Sequence, residues 1–397
     1  MDLLLHPHSL SGSVPAIPSK SQAHRLLICA ALADGDTELL CAAKNADMEA
    51  TADCLNALGA EIKSTPEGFT VRPIRKLPKK AVLPCRESGS TLRFLLPVAG
   101  ALGVETEFRM EGRLPERPLS PLWEEMERMG CTLRREKNSL FLTGKLRPGD
   151  YAMAGNVSSQ FFTGLLLACT QMPGESRISV LGPLESKPYV TMTRQALALF
   201  GGDVSGWTVR GGTLLHTPGR LCVEGDWSNA AFFLTANALG SSVTVTGLDP
   251  ESAQGDRVIL KILSELDRFS EIPAGDIPDL VPILAVAAAA KQGAAFTGVG
   301  RLRLKESDRI AAVSALLENL GIAVETGPDT LTVHPGVFHG GRVSAAGDHR
   351  IAMAAAIAAT AAQGDVLLTG AEAVKKSYPR FWEEYRILGG KYEQFIR

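Results

Sequence analysis

Six times along the chain one pattern recurs: a polar cap, a helix of apolar or small residues, a glycine or short turn, and a β-rich run closing on Gly or Pro. The copies are SQAHRLLICAALADGDTELL, SGSTLRFLLPVAGALG, SSQFFTGLLLACTQMPGESRISVLG, SNAAFFLTANALGSSVTVTG, PDLVPILAVAAAAKQGAAFTG and HRIAMAAAIAATAAQGDVLLTG. They start at residues 21, 88, 158, 228, 278 and 349, so successive starts lie 67, 70, 70, 50 and 71 residues apart. Such a period marks a repeat architecture, in which each unit buries its apolar face against its neighbours. Between these helices lies a second, more amphipathic one, as in NADMEATADCLNALGAEI, PLWEEMERMGCTL, TMTRQALALFGGDV, GDRVILKILSELD and SDRIAAVSALLENLGIAV. Each ends near Gly or Asp and runs into a strand such as LTVHP. One helix per unit is apolar nearly all round and must be buried, whereas the other keeps one wet face. The expected architecture is therefore α/β, with sheets outside and helices within. Six units divide into two domains of three, with a break near CVEGDWSN.

The 397 residues exceed what one hydrophobic core usually serves, which agrees with two domains. A net charge of -2 argues against nucleic acid as a partner, because such binders rest on a clear basic surplus. The seven cysteines are scattered, with no CxxC pair and no histidine at metal-ligand spacing, which points to a reduced, cytoplasmic protein without a zinc site. No signal or transit pattern opens the chain. The apolar runs LVPILAVAAAA and IAMAAAIAATAA fall short of the roughly 20 residues that span a bilayer, so they are expected as buried helices and no membrane partner is implied.

The start of each buried helix offers free backbone N–H groups and a partial positive charge, an environment that attracts anions. Basic side chains sit at those same starts or in short turns: Lys20 and Arg25 in PSKSQAHR, Arg93 in ESGSTLR, Arg113 in GRLPERP, Lys305 and Arg309 in LKESDR, Arg350 in DHR, Lys376 in KKSYP. A cation at a helix N-terminus opposes the macrodipole, so its repetition points to an external ligand with several phosphate or carboxylate groups. In RLRLKESDR, Ser307 is expected to cap a helix, with Lys305 and Arg309 four apart on one face. Each feature also has a simpler explanation. SSQ at 158–160 caps a helix, Arg25 pairs with an acid, Tyr189 belongs to the core, and Asp279 caps the helix that follows it. Two carboxylates, Asp279 and Glu306, lie near the cations and suit general acid and base roles.

PSKSQAHR, SGSTLRF, GRLPERP, SSQF, SKPY, IPD, LKESDR, DHR and KSYP occur in the order found in the 5-enolpyruvylshikimate-3-phosphate synthase family, which the chain resembles over its whole length. The resemblance implies a two-domain inside-out α/β barrel of six βαβαββ repeats, three per domain. It places residues 1–12 with 225–397 in one domain and 13–224 in the other, with the active site in the cleft between them. It implies transfer of the enolpyruvyl group of phosphoenolpyruvate to the 5-hydroxyl of shikimate 3-phosphate, by a monomer with no metal or organic cofactor. Matched by motif, shikimate 3-phosphate would be held by Lys20, Ser21, Arg25, Ser158, Ser159, Gln160, Ser186, Tyr189, Asp279 and Lys305. Phosphoenolpyruvate would be held by Lys20, Gly89, Arg93, Arg113, Gln160, Arg309, Arg350 and Lys376. Asp279 would take the hydroxyl proton and Glu306 would protonate the methylene carbon, with Lys20 sharing proton traffic.

Some positions depart from the family pattern. Arg86 stands where relatives generally carry Gly, Glu87 where many carry Asn, Phe94 where many carry Pro, and Arg301 replaces an Asn that contacts the shikimate ligand in some members. Gly89 matches the form associated with sensitivity to glyphosate, a competitor of phosphoenolpyruvate. The related enolpyruvyl transferase acting on UDP-N-acetylglucosamine carries a reactive cysteine in a GGCxIGxRP loop, and EGRLPERP has Gly112 at that place. A catalytically silent phospholigand-binding relative would be expected to have lost Asp279, Glu306 or an arginine of the phosphoenolpyruvate set.

Overall fold

The computed structural model describes residues 1–395. The chain forms two compact units, one made of Met1–Ile17 together with the chain from Gly225 onward, the other of Pro18–Glu224. The buried helices begin where the repeat places them: Lys20–Ala31, Gly89–Leu102, Ser159–Cys169, Trp227–Ala238, Val281–Ala290 and His349–Thr360. Their starts are fixed by side-chain caps in five of the six. Ser19, Ser88, Ser158, Asp226 and Asp348 each accept a hydrogen bond from a backbone N–H one turn in. Every residue of His349–Thr360 is buried, as is Val281–Ala289. In the first unit, Trp227–Ala238, Val281–Ala290 and His349–Thr360 pack on one another; in the second, Gly89–Leu102 packs on Ser159–Cys169.

The sheets share one topology. Lys80–Arg86 pairs parallel with Glu105–Met110, which pairs antiparallel with Ser139–Gly144, which in turn pairs antiparallel with Cys131–Glu136. The first strand precedes the buried helix, the second follows it, and the last two form the hairpin after the amphipathic helix. Asp150–Ala154 and Ser270–Pro273 open two further sheets of this plan.

Two sheets borrow their opening strand from a distant part of the chain. Arg220–Cys222 pairs parallel with Thr37–Leu40, completing the repeat of Lys20–Ala31. Ser11–Pro15 pairs parallel with Ser242–Thr246, completing the repeat of Trp227–Ala238. A boundary at residue 12 would cut this strand in half; pairing along its whole length carries the first unit to Ile17. The last repeat borrows at its other end, since Asp2–His6 lies between Val366–Thr369 and Lys391–Phe395, antiparallel to both. The spacing of 50 between the fourth and fifth helices has a direct cause. The fourth repeat has a two-stranded sheet and lacks the hairpin, so it retains βαβα where the others have βαβαββ.

RLRLKESDR differs from expectation. Gly300–Leu304 is a short 3-10 helix, Lys305 is extended, and the α-helix Arg309–Asn319 begins only after Asp308, whose carboxylate accepts from the Ala311 N–H at 3.1 Å. Asp308, not Ser307, is the cap, and Lys305 and Arg309 do not share a helical face.

Leu3 and Leu5 of the borrowed N-terminal strand are fully buried. Truncating Leu5 to Ala is expected to destabilise the protein by about 3 kcal/mol, as for other fully buried leucines. Urea unfolding followed by tryptophan fluorescence measures it, and a midpoint unchanged from the parent would contradict the central place given to this strand.

Candidate active site

In the first unit the helix starts gather charge. Arg309, the first residue of its helix and 1% exposed, donates from Nε to Asp348 at 2.8 Å, from Nη1 to Asp279 at 2.7 Å and from Nη2 to Glu306 at 2.8 Å. Arg350, second residue of His349–Thr360, donates to the Asp279 carbonyl at 3.2 Å and its carboxylate at 3.0 Å. Asp348 caps that helix by accepting from the Arg350 N–H at 2.9 Å, and it also accepts from the Ser307 hydroxyl at 3.1 Å. Asp279 is not a cap: the helix after it starts at Val281 with no side-chain cap bond, and its carboxylate is held by two guanidinium groups.

These contacts set the protonation states. Burial pushes the Asp279 carboxyl upward, but Arg350, Arg309 and Lys305 outweigh it and hold the group well below the usual carboxylate range. Burial disfavours the Arg309 cation, and Asp348, Glu306 and Asp279 more than compensate, so its pKa is raised. Lys305 is pushed down to about 7, by burial first and against the pull of Asp279. Asp256, 3% exposed with Oδ1 lacking a hydrogen-bond partner among the described residues, is pushed up to about 7 by burial and by the neighbouring Asp279 charge. Lys376 ends the 3-10 helix Ala371–Lys376 and stands half-buried. Its neighbour Ser377 accepts from the Asn229 amide at 3.2 Å.

In the second unit, Lys20 opens its helix and pairs with Asp47 at 3.1 Å. Arg25, one turn on and 2% exposed, donates to the hydroxyls of Thr193 at 2.9 Å and Thr163 at 3.3 Å, and to the carbonyls of Tyr189 at 2.9 Å and Ser21. Among the described residues it has no carboxylate partner and uses four of its five N–H donors. Burial lowers its pKa to about 10. The expected pairing of Arg25 with an acid is thus absent. Ser158 caps its helix by accepting from the Gln160 N–H at 3.3 Å, and Ser159 follows as the first helical residue. Ser186 is buried in the left-handed region, with φ of 57°, where a non-glycine residue is strained.

Two arginines stand differently from the sequence expectation. Arg113 is about half exposed and, among the described residues, pairs with Glu116 alone, at 3.5 Å. Arg117, at the far end of the same GRLPERP loop, lies against Gly89: a Cβ there would come 2.5 Å from Arg117 Nη1. Arg93 is buried and turned into the protein, donating to Gln160 Oε1 at 2.8 Å and to the Pro118 carbonyl at 3.0 Å. Arg117, Asp47, Asp256 and Asp348 were missed in the sequence. Asp348 was legible as the cap in DHR and Arg117 as the second arginine of its loop, whereas Asp47 and Asp256 carried no local signal.

The departures from the family pattern have local causes. Arg86 has a φ of 52° and bridges to Asp53 at 2.6 Å, so an ion pair compensates a conformation that favours glycine. Phe94 packs under Arg25, ring centroid to Cζ 5.1 Å. Arg301 donates to the Gly275 carbonyl and Arg303 to the Gly327 carbonyl, so both brace loops.

Because the raised Asp256 pKa favours the protonated folded state, its stabilising effect is complete below about pH 4 and lost as pH rises through about 7. Asp256→Asn should therefore gain stability relative to the parent progressively between pH 4 and 7, with no further gain above. Urea titrations across that range test this, and a gain that shrinks with pH would refute the assignment.

The EPSP synthase family model, 3-phosphoshikimate 1-carboxyvinyltransferase, matches residues 5–276 and 268–385. A 3-phosphoshikimate 1-carboxyvinyltransferase of Clostridium kluyveri is 39% identical, covering 98% of both chains, and that of Clostridium perfringens is 36% identical with the same coverage. Among solved structures, an EPSP synthase of Acinetobacter baumannii superposes with a TM-score of 0.80 at 22% identity over 99% of this chain and 100% of that one. The enolpyruvyl transferase NikO of Streptomyces tendae gives 0.79 at 21% identity over 100% of this chain and 99% of that one. At that identity the two structures establish the fold, the two-domain inside-out α/β architecture. With the full-length sequence matches, this chain belongs to the EPSP synthase family.

Proposed function

We infer that the chain is an enzyme, a 3-phosphoshikimate 1-carboxyvinyltransferase, which joins phosphoenolpyruvate and shikimate 3-phosphate and releases phosphate. Each cluster supplies groups of the kind this reaction needs. The observation that carries the reading is Asp279 held between Arg309 and Arg350: a carboxylate suited to take a proton, beside two cations suited to an anionic reactant.

Held by two guanidinium groups, Asp279 is a weak base. The carboxylate and phosphate of phosphoenolpyruvate compete for the same N–H donors. As they draw Arg309 and Arg350 away, the pKa of Asp279 rises, so it becomes a base when substrate is present. Asp279 then removes the 5-hydroxyl proton, and the hydroxyl oxygen attacks C2 of the enol. Glu306 delivers a proton to C3, giving a tetrahedral adduct that retains the phosphate. Loss of a C3 proton and expulsion of phosphate restore the double bond. Lys20, Arg309, Arg350 and Lys376 stabilise the phosphate oxygens as charge moves onto the leaving group.

Ser158, Ser159, Ser186 and Arg25 suit the phosphate and hydroxyls of shikimate 3-phosphate, with Lys20, Ser21, Gln160 and Tyr189 of the same unit as further candidates, and Lys305 has the charge to bind the same anion. Lys305, pushed down to about 7 by burial, is about half protonated near neutral pH, and a nearby anion favours its charged form. Gly89 and Arg117 take the place given to Arg113 in phosphoenolpyruvate binding. Substrates of UDP-N-acetylglucosamine transferases are disfavoured because EGRLPERP has no cysteine.

Asp279→Asn is expected to lower turnover by about 10²- to 10⁴-fold. Phosphoenolpyruvate affinity should be unchanged or improved, because the amide competes less for the arginines. Phosphate-release kinetics with near-normal turnover would remove Asp279 as the base. For the loop, Arg117→Ala should raise the phosphoenolpyruvate KM about tenfold or more, the loss of one charged hydrogen bond, while Arg113→Ala stays within about twofold. Equal effects at the two positions would cancel that assignment.

A further inference from the structure

We propose that Arg93 is a positioning residue that holds Gln160 and the loop carrying Arg117 in their binding geometry, an inference that rests on the function proposed above. Arg93 ties three segments together. Its backbone belongs to Gly89–Leu102, its Nη1 donates to Gln160 Oε1 on Ser159–Cys169 at 2.8 Å, and its Nη2 donates to the carbonyl of Pro118 at 3.0 Å, the residue after Arg117. The guanidinium is 5.6 Å from the centroid of the Phe161 ring, and the residue is 4% exposed. Gly164, one turn after Gln160, permits this geometry. A Cβ there would run into the Arg93 carbonyl and lie 2.7 Å from Pro97 Cγ, so only glycine lets the helices approach closely enough for Arg93 to reach Gln160.

Two consequences follow. Gln160 Nε2 donates to the Ser90 hydroxyl at 2.9 Å while Oε1 accepts from Arg93, which fixes the amide orientation. Of its two ends, the remaining Nε2 hydrogen is left to a ligand, so Gln160 is set as a donor to an anionic substrate. The loop at 111–118 has few buried side chains of its own, Leu114 being the one fully buried. Anchored at Pro118, it presents Arg117 beside Gly89 before substrate arrives. Without the anchor, its ordering entropy would be lost on binding instead.

The test compares Arg93→Lys, which keeps charge and most of the volume, with Arg93→Ala, each checked by circular dichroism for folding. Phosphate release by the parent with both substrates is measured first, because its absence would overturn the proposed function and this inference with it. With the parent active, Arg93→Lys should raise the phosphoenolpyruvate KM at least fivefold, with kcat within threefold and the shikimate 3-phosphate dissociation constant within threefold. In the ligand-free protein, amide hydrogen exchange across 111–118 should quicken about tenfold, a readout independent of turnover. Arg93→Ala added to Gln160→Ala should cost less than it does alone. An unchanged KM and loop exchange in Arg93→Lys, or fully multiplicative effects in the double variant, would overturn the proposal while leaving the proposed function standing.

Discussion

Two short parallel pairings, Ser11–Pro15 with Ser242–Thr246 and Arg220–Cys222 with Thr37–Leu40, determine how everything else is arranged. Each buried helix is apolar around its circumference and requires a sheet on its outer side. The strand that would open the sheet of the first helix has gone to the fourth, and the strand before the fourth has gone to the first. The Pro18–Glu224 unit therefore closes its sheets from one continuous stretch, whereas the other unit needs the strands of Met1–Ile17 joined to the chain from Gly225 onward. The same exchange puts Lys20 directly after one crossing and Asp226 directly after the other, so a capped helix start follows each crossing.

Inside each unit the cations are handled in opposite ways. Arg309 is surrounded by Asp279, Glu306 and Asp348, so its burial is compensated by charge-assisted bonds. Arg25 is buried with hydroxyls, carbonyls and a phenyl ring and no carboxylate among the described residues. An isolated buried cation is costly and favours any ligand that brings negative charge. One cluster is thus closed on itself by charge pairs, while the other leaves a buried cation without an acidic partner among the described residues.

Much of this was legible in the sequence, because periodicity survives without knowledge of contacts. The six buried helices, and the caps of five of them, follow from spacing and from Ser or Asp before an apolar run. The strand exchange was not legible locally, since SGSVP and RLC read as ordinary short strands whichever partner they choose. Site residues at helix starts were found because a capped start is a local signal. Arg117 was passed over for Arg113 because both lie in one charged loop, and only packing against Gly89 separates them. Arg93 was placed against a substrate because a guanidinium at a helix start looks the same facing in or out. Ser307 was taken for the cap because the 3-10 turn before it displaced the helix by one residue.

The strand Asp2–His6 has a consequence for how the chain is made. It is synthesised about 360 residues ahead of its partners, which begin at Val366. At about 5–20 residues per second it waits roughly 20 to 70 s for them. Throughout that interval the apolar run Leu3, Leu4 and Leu5 lacks its partner strands, on a nascent chain whose Pro18–Glu224 segment holds all the strands its own sheets need. A strand made early is thus one that can be paired only late.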